Sequence, residues 1–145
     1  MLRVTKLADY GIVMLTFLAA HSQGTYAARD VATLLGLPLP VASKVLKMLG
    51  KAGILISQRG NKGGYALSRP PGEITLAGII TALEGPIAVT QCERGSDCGI
   101  EPGCPVRTNW HLINRTIQAA LEKITLAEMT RPLTEPLVSL TGLQD

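Results

Sequence analysis

The sequence predicts a mainly α chain with a small β-hairpin wing: a winged helix-turn-helix followed by a long dimerisation helix. Three observations predict it. Apolar residues recur at three- and four-residue steps over much of the chain, the period of amphipathic helices. A lysine-faced helix is followed directly by two short strand signals around a glycine-rich basic tip. Beyond a stretch holding all three cysteines, apolar positions step by 4, 3, 4, 3, 4. The expected divisions are 1–86 for the DNA-binding domain, 87–105 for the cysteine loop, 106–130 for the dimerisation helix with a short final helix, and 131–145 for a flexible tail.

Thr5 reads as the N-cap of a helix from about Lys6 to His21, with Asp9 near its positive end and His21 as a capping residue. Thr25 starts a second helix, about Ala27 to Leu35, ended by Gly36. Pro38 and Pro40 suit the first turn of a third helix running to about Lys51. Val41, Val45, Met48, Leu49 and Ala52 are its expected buried stripe. Ser43, Lys44, Lys47 and Lys51 lie opposite and form the expected DNA-facing side. This helix carries no arginine with which to grip a guanine, so no base contact is assigned from it.

Ile54–Ser57 and Tyr65–Ser68 read as strands around Gln58-Arg-Gly-Asn-Lys-Gly-Gly64. Arg59 and Lys62 at that tip are expected on the phosphate backbone or in the minor groove. Charge agrees with a polyanionic partner for this half. Residues 1–70 carry a balance of +7 and residues 71–145 one of −4, giving the net +3. Thr75 caps a further helix with Leu76, Ile79, Ile80 and Leu83 inward, ended by Gly85-Pro86. The final seam is Val106, Trp110, Ile113, Ile117, Ala120 and Ile124, with Asn114 among the residues placed outside it. It is short for a free-standing coiled coil, so a crossing dimer contact shared with the first helix is expected.

Cys92, Cys98 and Cys104 form the pattern C-x5-C-x5-C. Five-residue gaps cannot put the thiols on one helical face, and Gly95, Gly99, Pro102 and Gly103 favour an irregular loop. Such a loop can wrap thiolates around an iron–sulfur cluster or zinc. The spacing differs from the C-x2-C pairs of common zinc folds, and redox-active thiols are the other alternative. An odd cysteine number does not suggest a disulfide framework. The longest apolar run, Gly11–Ala20, is too short to cross a bilayer, and no signal peptide is evident. A cytoplasmic protein with no membrane partner is expected. The absence of a Ser-His-Asp set, paired catalytic acids or a nucleotide loop points away from an enzyme and from a small-molecule substrate.

The order of parts resembles the IscR/NsrR-type (Rrf-type) winged-helix regulators that carry an iron–sulfur cluster. The resemblance covers about residues 1–130. It rests on Leu2-Arg-Val-Thr-Lys-Leu-Ala-Asp-Tyr10, Arg59-Gly-Asn-Lys-Gly-Gly-Tyr65, Leu83-Glu-Gly-Pro86 and the cysteine pattern. Leu37-Pro-Leu-Pro-Val-Ala-Ser-Lys-Val-Leu-Lys47 and Asn109-Trp110 look like the branch that regulates the SUF iron–sulfur assembly operon. The resemblance implies a homodimer on a roughly palindromic double-stranded operator, with one [2Fe–2S] or [4Fe–4S] cluster per subunit. It also implies Cys92, Cys98 and Cys104 as ligands. Where some relatives have a ligating histidine three residues after the last cysteine, this chain has Arg107. The fourth ligand implied is then Asp9 from the partner subunit, or else His111. The function implied is a regulator, most simply a repressor, of cluster-assembly genes. A nitric-oxide or redox sensor of the same family, or a zinc or thiol switch without a cluster, is the alternative.

Overall fold

The computed structural model describes residues 3–94 and 98–131. In chain order these form α1 (Lys6–Ala20), α2 (Ala28–Leu35), α3 (Leu39–Lys51), β1 (Leu55–Gln58), β2 (Gly64–Leu67), α4 (Leu76–Glu84), α5 (Arg107–Lys123) and α6 (Leu126–Met129). Short 3-10 turns occupy Pro71–Glu73, Gln91–Arg94 and Glu101–Gly103. This is the winged helix-turn-helix expected. The expected tail at 131–145 lies, but for Arg131, outside the described residues.

α1 begins where Thr5 Oγ1 accepts the Ala8 N–H at 3.3 Å. Thr5 also donates to Glu84 at the end of α4, from its backbone N–H at 2.9 Å and its hydroxyl at 2.5 Å. One carboxylate therefore joins the start of α1 to the end of α4. Between these ends, Gly11 lets the helices close, because a Cβ there would run into Leu83 Cδ1. At the other end of α1, the expected cap is seen: the His21 ring hydrogen-bonds the Phe17 carbonyl at 2.8 Å and stacks on the Phe17 ring.

α2 ends at Gly36, whose φ of 65° is left-handed and suits glycine. Pro38 and Pro40 then fix the entry to α3. Two expectations need correction here. Thr25 does not start α2, since Ala27 is the N-cap and the Thr25 hydroxyl instead donates to the Lys62 carbonyl at 2.9 Å. The buried stripe of α3 is Ala42, Val45, Leu46 and Leu49; Val41 and Met48 are half-buried and Ala52 is exposed. Two rows at helical spacing were available from sequence, and packing against α1, α2 and α4 selects the one centred on Leu46.

β1 and β2 pair antiparallel, Leu55 with Leu67 and Gln58 with Gly64. Tyr26 adds a bridge on the far side of β2, with its N–H on the Tyr65 carbonyl at 3.1 Å and its carbonyl taking the Tyr65 N–H at 2.8 Å. The wing is thus fastened to the chain just before α2.

A second bridge, Thr75 with Thr125, returns the end of α5 to the domain. Leu76 donates to the Ile124 carbonyl and Leu126 to the Ile74 carbonyl, both at 2.8 Å. Thr125 and Glu128 form a capping box that starts α6. Leu126 is fully buried and joins Met14, Leu15, Val45, Leu46, Leu49, Ile74 and Ile79 in one core. Side chains of this size stabilise the fold by roughly 1.5–3 kcal/mol each on burial. The stretch after the cysteine loop is therefore not a free arm: α5 packs against α4 and α6 joins the core.

Candidate nucleic-acid interface and cysteine loop

On α3, Lys44, Lys47 and Lys51 are exposed at helical spacing, while Ser43 is half-buried. Lysines on one solvent face put positive charge where a phosphate backbone can run. Arg59 and Lys62 are exposed at the wing tip. The tip is shaped by glycines for two different reasons. Gly60 has a φ of 118°, which L side chains avoid. Gly63 has no room for a Cβ, which would meet the Gln58 and Gly60 carbonyls. The Thr25 bond to the Lys62 carbonyl then anchors the tip against the start of the helix-turn-helix. Arg69, at the other end of the wing, serves a different role: its guanidinium donates to the carbonyls of Glu73 and Gly53, at 3.3 and 3.4 Å.

Cys92, Cys98 and Cys104 are each half-buried and none is in a disulfide. Cys92 lies in the 3-10 turn Gln91–Arg94, so the loop is less irregular than its composition suggests. Among the described residues, no three His, Cys, Asp or Glu side chains come together as a metal-holding group. Thr90 Oγ1 lies 3.1 Å from Cys92 Sγ, within hydrogen-bond reach. His111, half-buried on α5, accepts at Nε2 from Arg107 Nε at 3.3 Å. Asp9 is exposed in the first turn of α1.

The long helix departs from the expected seam in two respects. Ile124 has left the helix; its backbone is extended and its carbonyl serves the bridge to α4. Asn114, expected outside the seam, is the buried residue of α5, at 4% exposure. It lies in a row with Trp110, Ile117 and Leu121, which are half-buried. The other expected seam residues divide: Ala120 is half-buried, whereas Val106 and Ile113 are exposed together with Leu112. One side of α5 thus packs on its own domain, where it meets α4, and another presents apolar side chains to solvent.

Asn114 Oδ1 accepts the Val89 N–H at 2.8 Å. Its Nδ2 is buried with no hydrogen-bond partner among the described residues. A buried unmatched donor costs about 1–3 kcal/mol. Sequence reasoning missed this residue because a lone asparagine between apolar positions reads as surface. The available signal was its spacing, four after Trp110 and three before Ile117. Beside it, residues 85–91, the end of α4, Arg3, Val4, Ile117 and Leu121 line a cavity of about 630 Å³. No helix among the described residues is long and apolar enough to cross a membrane.

A family model described as Rrf2, iron-dependent transcriptional regulator, matches residues 4–132. The HTH-type transcriptional regulator IscR of Photobacterium profundum is 30% identical over 99% of this chain and 83% of its own length. Among solved structures, IscR of T. potens is 31% identical, with a TM-score of 0.66 over 88% of this chain and 85% of its own. CymR, the global cysteine regulator of B. subtilis, is 27% identical, with a TM-score of 0.69 over 90% of this chain and 97% of its own.

Proposed function

Because the chain belongs to the Rrf2 family of transcriptional regulators, we propose that it is a homodimeric operator-binding repressor of cluster-assembly genes. In this reading it senses an iron–sulfur cluster held in the cysteine loop of each subunit. The observation that carries the DNA part is the exposed lysine row Lys44, Lys47 and Lys51 followed by a wing that presents Arg59 and Lys62. α3 would lie in the major groove and the wing tip on the adjacent backbone. The exposed apolar side of α5, with Leu112 and Ile113 and with Val106 just before the helix, supports the dimer.

The donor chemistry of the loop fits a thiolate-held cluster, with three half-buried thiols spaced evenly and none committed to a disulfide. Cys92, Cys98 and Cys104 would hold it. Arg107 cannot coordinate, and His111 Nε2 already takes a hydrogen bond from it. That favours Asp9 of a second subunit as fourth ligand, since its carboxylate is exposed. A bound cluster would supply a redox- and oxygen-sensitive centre. The chain's own part is to convert order in the loop into the attitude of α5, and so into the separation of two winged domains.

Iron, sulfide and zinc measured alongside an anaerobic absorption spectrum test this reading. Visible charge-transfer bands with matching iron and sulfide are expected. A sample that remains colourless and iron-free after reconstitution overturns the cluster. A thiol switch on the same DNA-binding frame is the second reading. It is favoured by the Thr90 hydroxyl beside Cys92 Sγ.

A further inference from the structure

We propose that Asn114 is the positioning residue that ties the cysteine loop to α5, so that a change at Cys92 is felt by the helix. This deepens the sensor reading, and only its cluster-loaded arm rests on that reading. Two contacts on neighbouring residues form the tie. Asn114 Oδ1 holds the Val89 N–H at 2.8 Å, and the Thr90 hydroxyl lies 3.1 Å from Cys92 Sγ. One side chain of α5 thus reaches the first sulfur of the loop through a single peptide unit and a hydroxyl.

Packing alone does not call for asparagine here. Trp110, Ile117 and Leu121 flank Asn114, and leucine has the same branched heavy-atom skeleton. Among the described residues Asn114 is the buried polar side chain, and its Nδ2 is left without an acceptor. A contact that is half satisfied is poorly suited to a purely structural role. It suits a joint between two arrangements, in which a loop carbonyl or sulfur meets Nδ2 in only one of them. Val89 and Thr90 also form part of the cavity wall, so this strand of chain has open space on one side into which it can shift.

The test compares wild type with Asn114→Leu and Thr90→Val in the full-length protein. In cluster-free protein, Asn114→Leu should speed amide hydrogen exchange of the 86–92 segment. It should also raise iodoacetamide alkylation of Cys92 several-fold, with Cys104 alkylation and exchange along α5 unchanged. Thr90→Val should change Cys92 alkylation while leaving the Val89 amide protected. In cluster-loaded protein, both variants should bring the ratio of loaded to cluster-free operator affinity towards one.

Unchanged exchange and alkylation in Asn114→Leu overturn the proposal. So does a uniform rise along α5 and at Cys104, which is the mark of a merely structural residue. If Asn114→Leu does not fold, Thr90→Val cuts the same path at its other end, and an unaltered affinity ratio and Cys92 reactivity there overturn it as well. A wild-type ratio of one would sink the sensor reading, while the exchange and alkylation results would still decide the tie.

Discussion

Replacing Gly64 with alanine should loosen the wing without disturbing the helical core. A Cβ at Gly64 would fall on the backbone of Tyr26 and the Ala27 nitrogen, where no rotamer can relieve it. The Tyr26–Tyr65 bridge must then open, giving up hydrogen bonds of 3.1 and 2.8 Å. Two backbone bonds at about 0.5–1.5 kcal/mol each give a loss of about 1–3 kcal/mol. For a chain of this length that corresponds to a fall in Tm of about 3–12 °C. Because the tip bearing Arg59 and Lys62 is braced by this attachment, operator affinity should fall with stability. Calorimetry and operator titration at fixed salt measure the two effects. Gly36→Ala is the matched control. It forces alanine into a left-handed backbone, but with nothing within 4 Å, and it should cost about 1–2 kcal/mol with little effect on DNA binding. An unchanged Tm and affinity in Gly64→Ala would refute the account of the wing.

Neutralising Lys44, Lys47, Arg59 or Lys62 singly to glutamine should reduce the slope of log K against log salt by about one or less, with similar losses on specific and non-specific DNA. A base-selective loss from any of them would count against the phosphate role. Ile113→Glu should leave the protomer folded, since the side chain is 42% exposed, yet yield a monomer by sedimentation. A dimer of unchanged affinity would move the interface off this side of α5. Leu126→Ala removes a fully buried side chain from the core and should destabilise by about 2–5 kcal/mol in urea titrations. A change near zero would mean that α6 is not an integral part of the winged domain.

The helices and wing were legible because each is punctuated by residues whose chemistry is local. Thr5 and Thr75 cap their helices, Gly36 and Gly85 end theirs, and the wing glycines sit where a tight tip needs them. Sequence was less informative where two faces of one helix were both partly apolar. On α3 the expected Val45 and Leu49 are in the core, but Ala42 and Leu46 join them in place of Val41, Met48 and Ala52, and on α5 Asn114 replaced a surface reading. Both choices depend on which neighbour arrives, and periodicity does not specify a neighbour. Thr25 and Glu84 were opaque for the same reason. Their partners, Lys62 and Thr5, lie 37 and 79 residues away. The thiols were found from their clustering, but their common purpose rests on chemistry rather than on position, since no three metal-ligating side chains converge among the described residues.

The central claim is that the state of the cysteine loop sets the affinity of the winged domains for DNA. Its most direct test is operator binding by the same preparation before and after anaerobic cluster loading, at one salt concentration. The account predicts that the two forms differ, and that the difference disappears when Cys92, Cys98 and Cys104 are changed to serine. Equal affinities for the loaded and cluster-free dimers would contradict it.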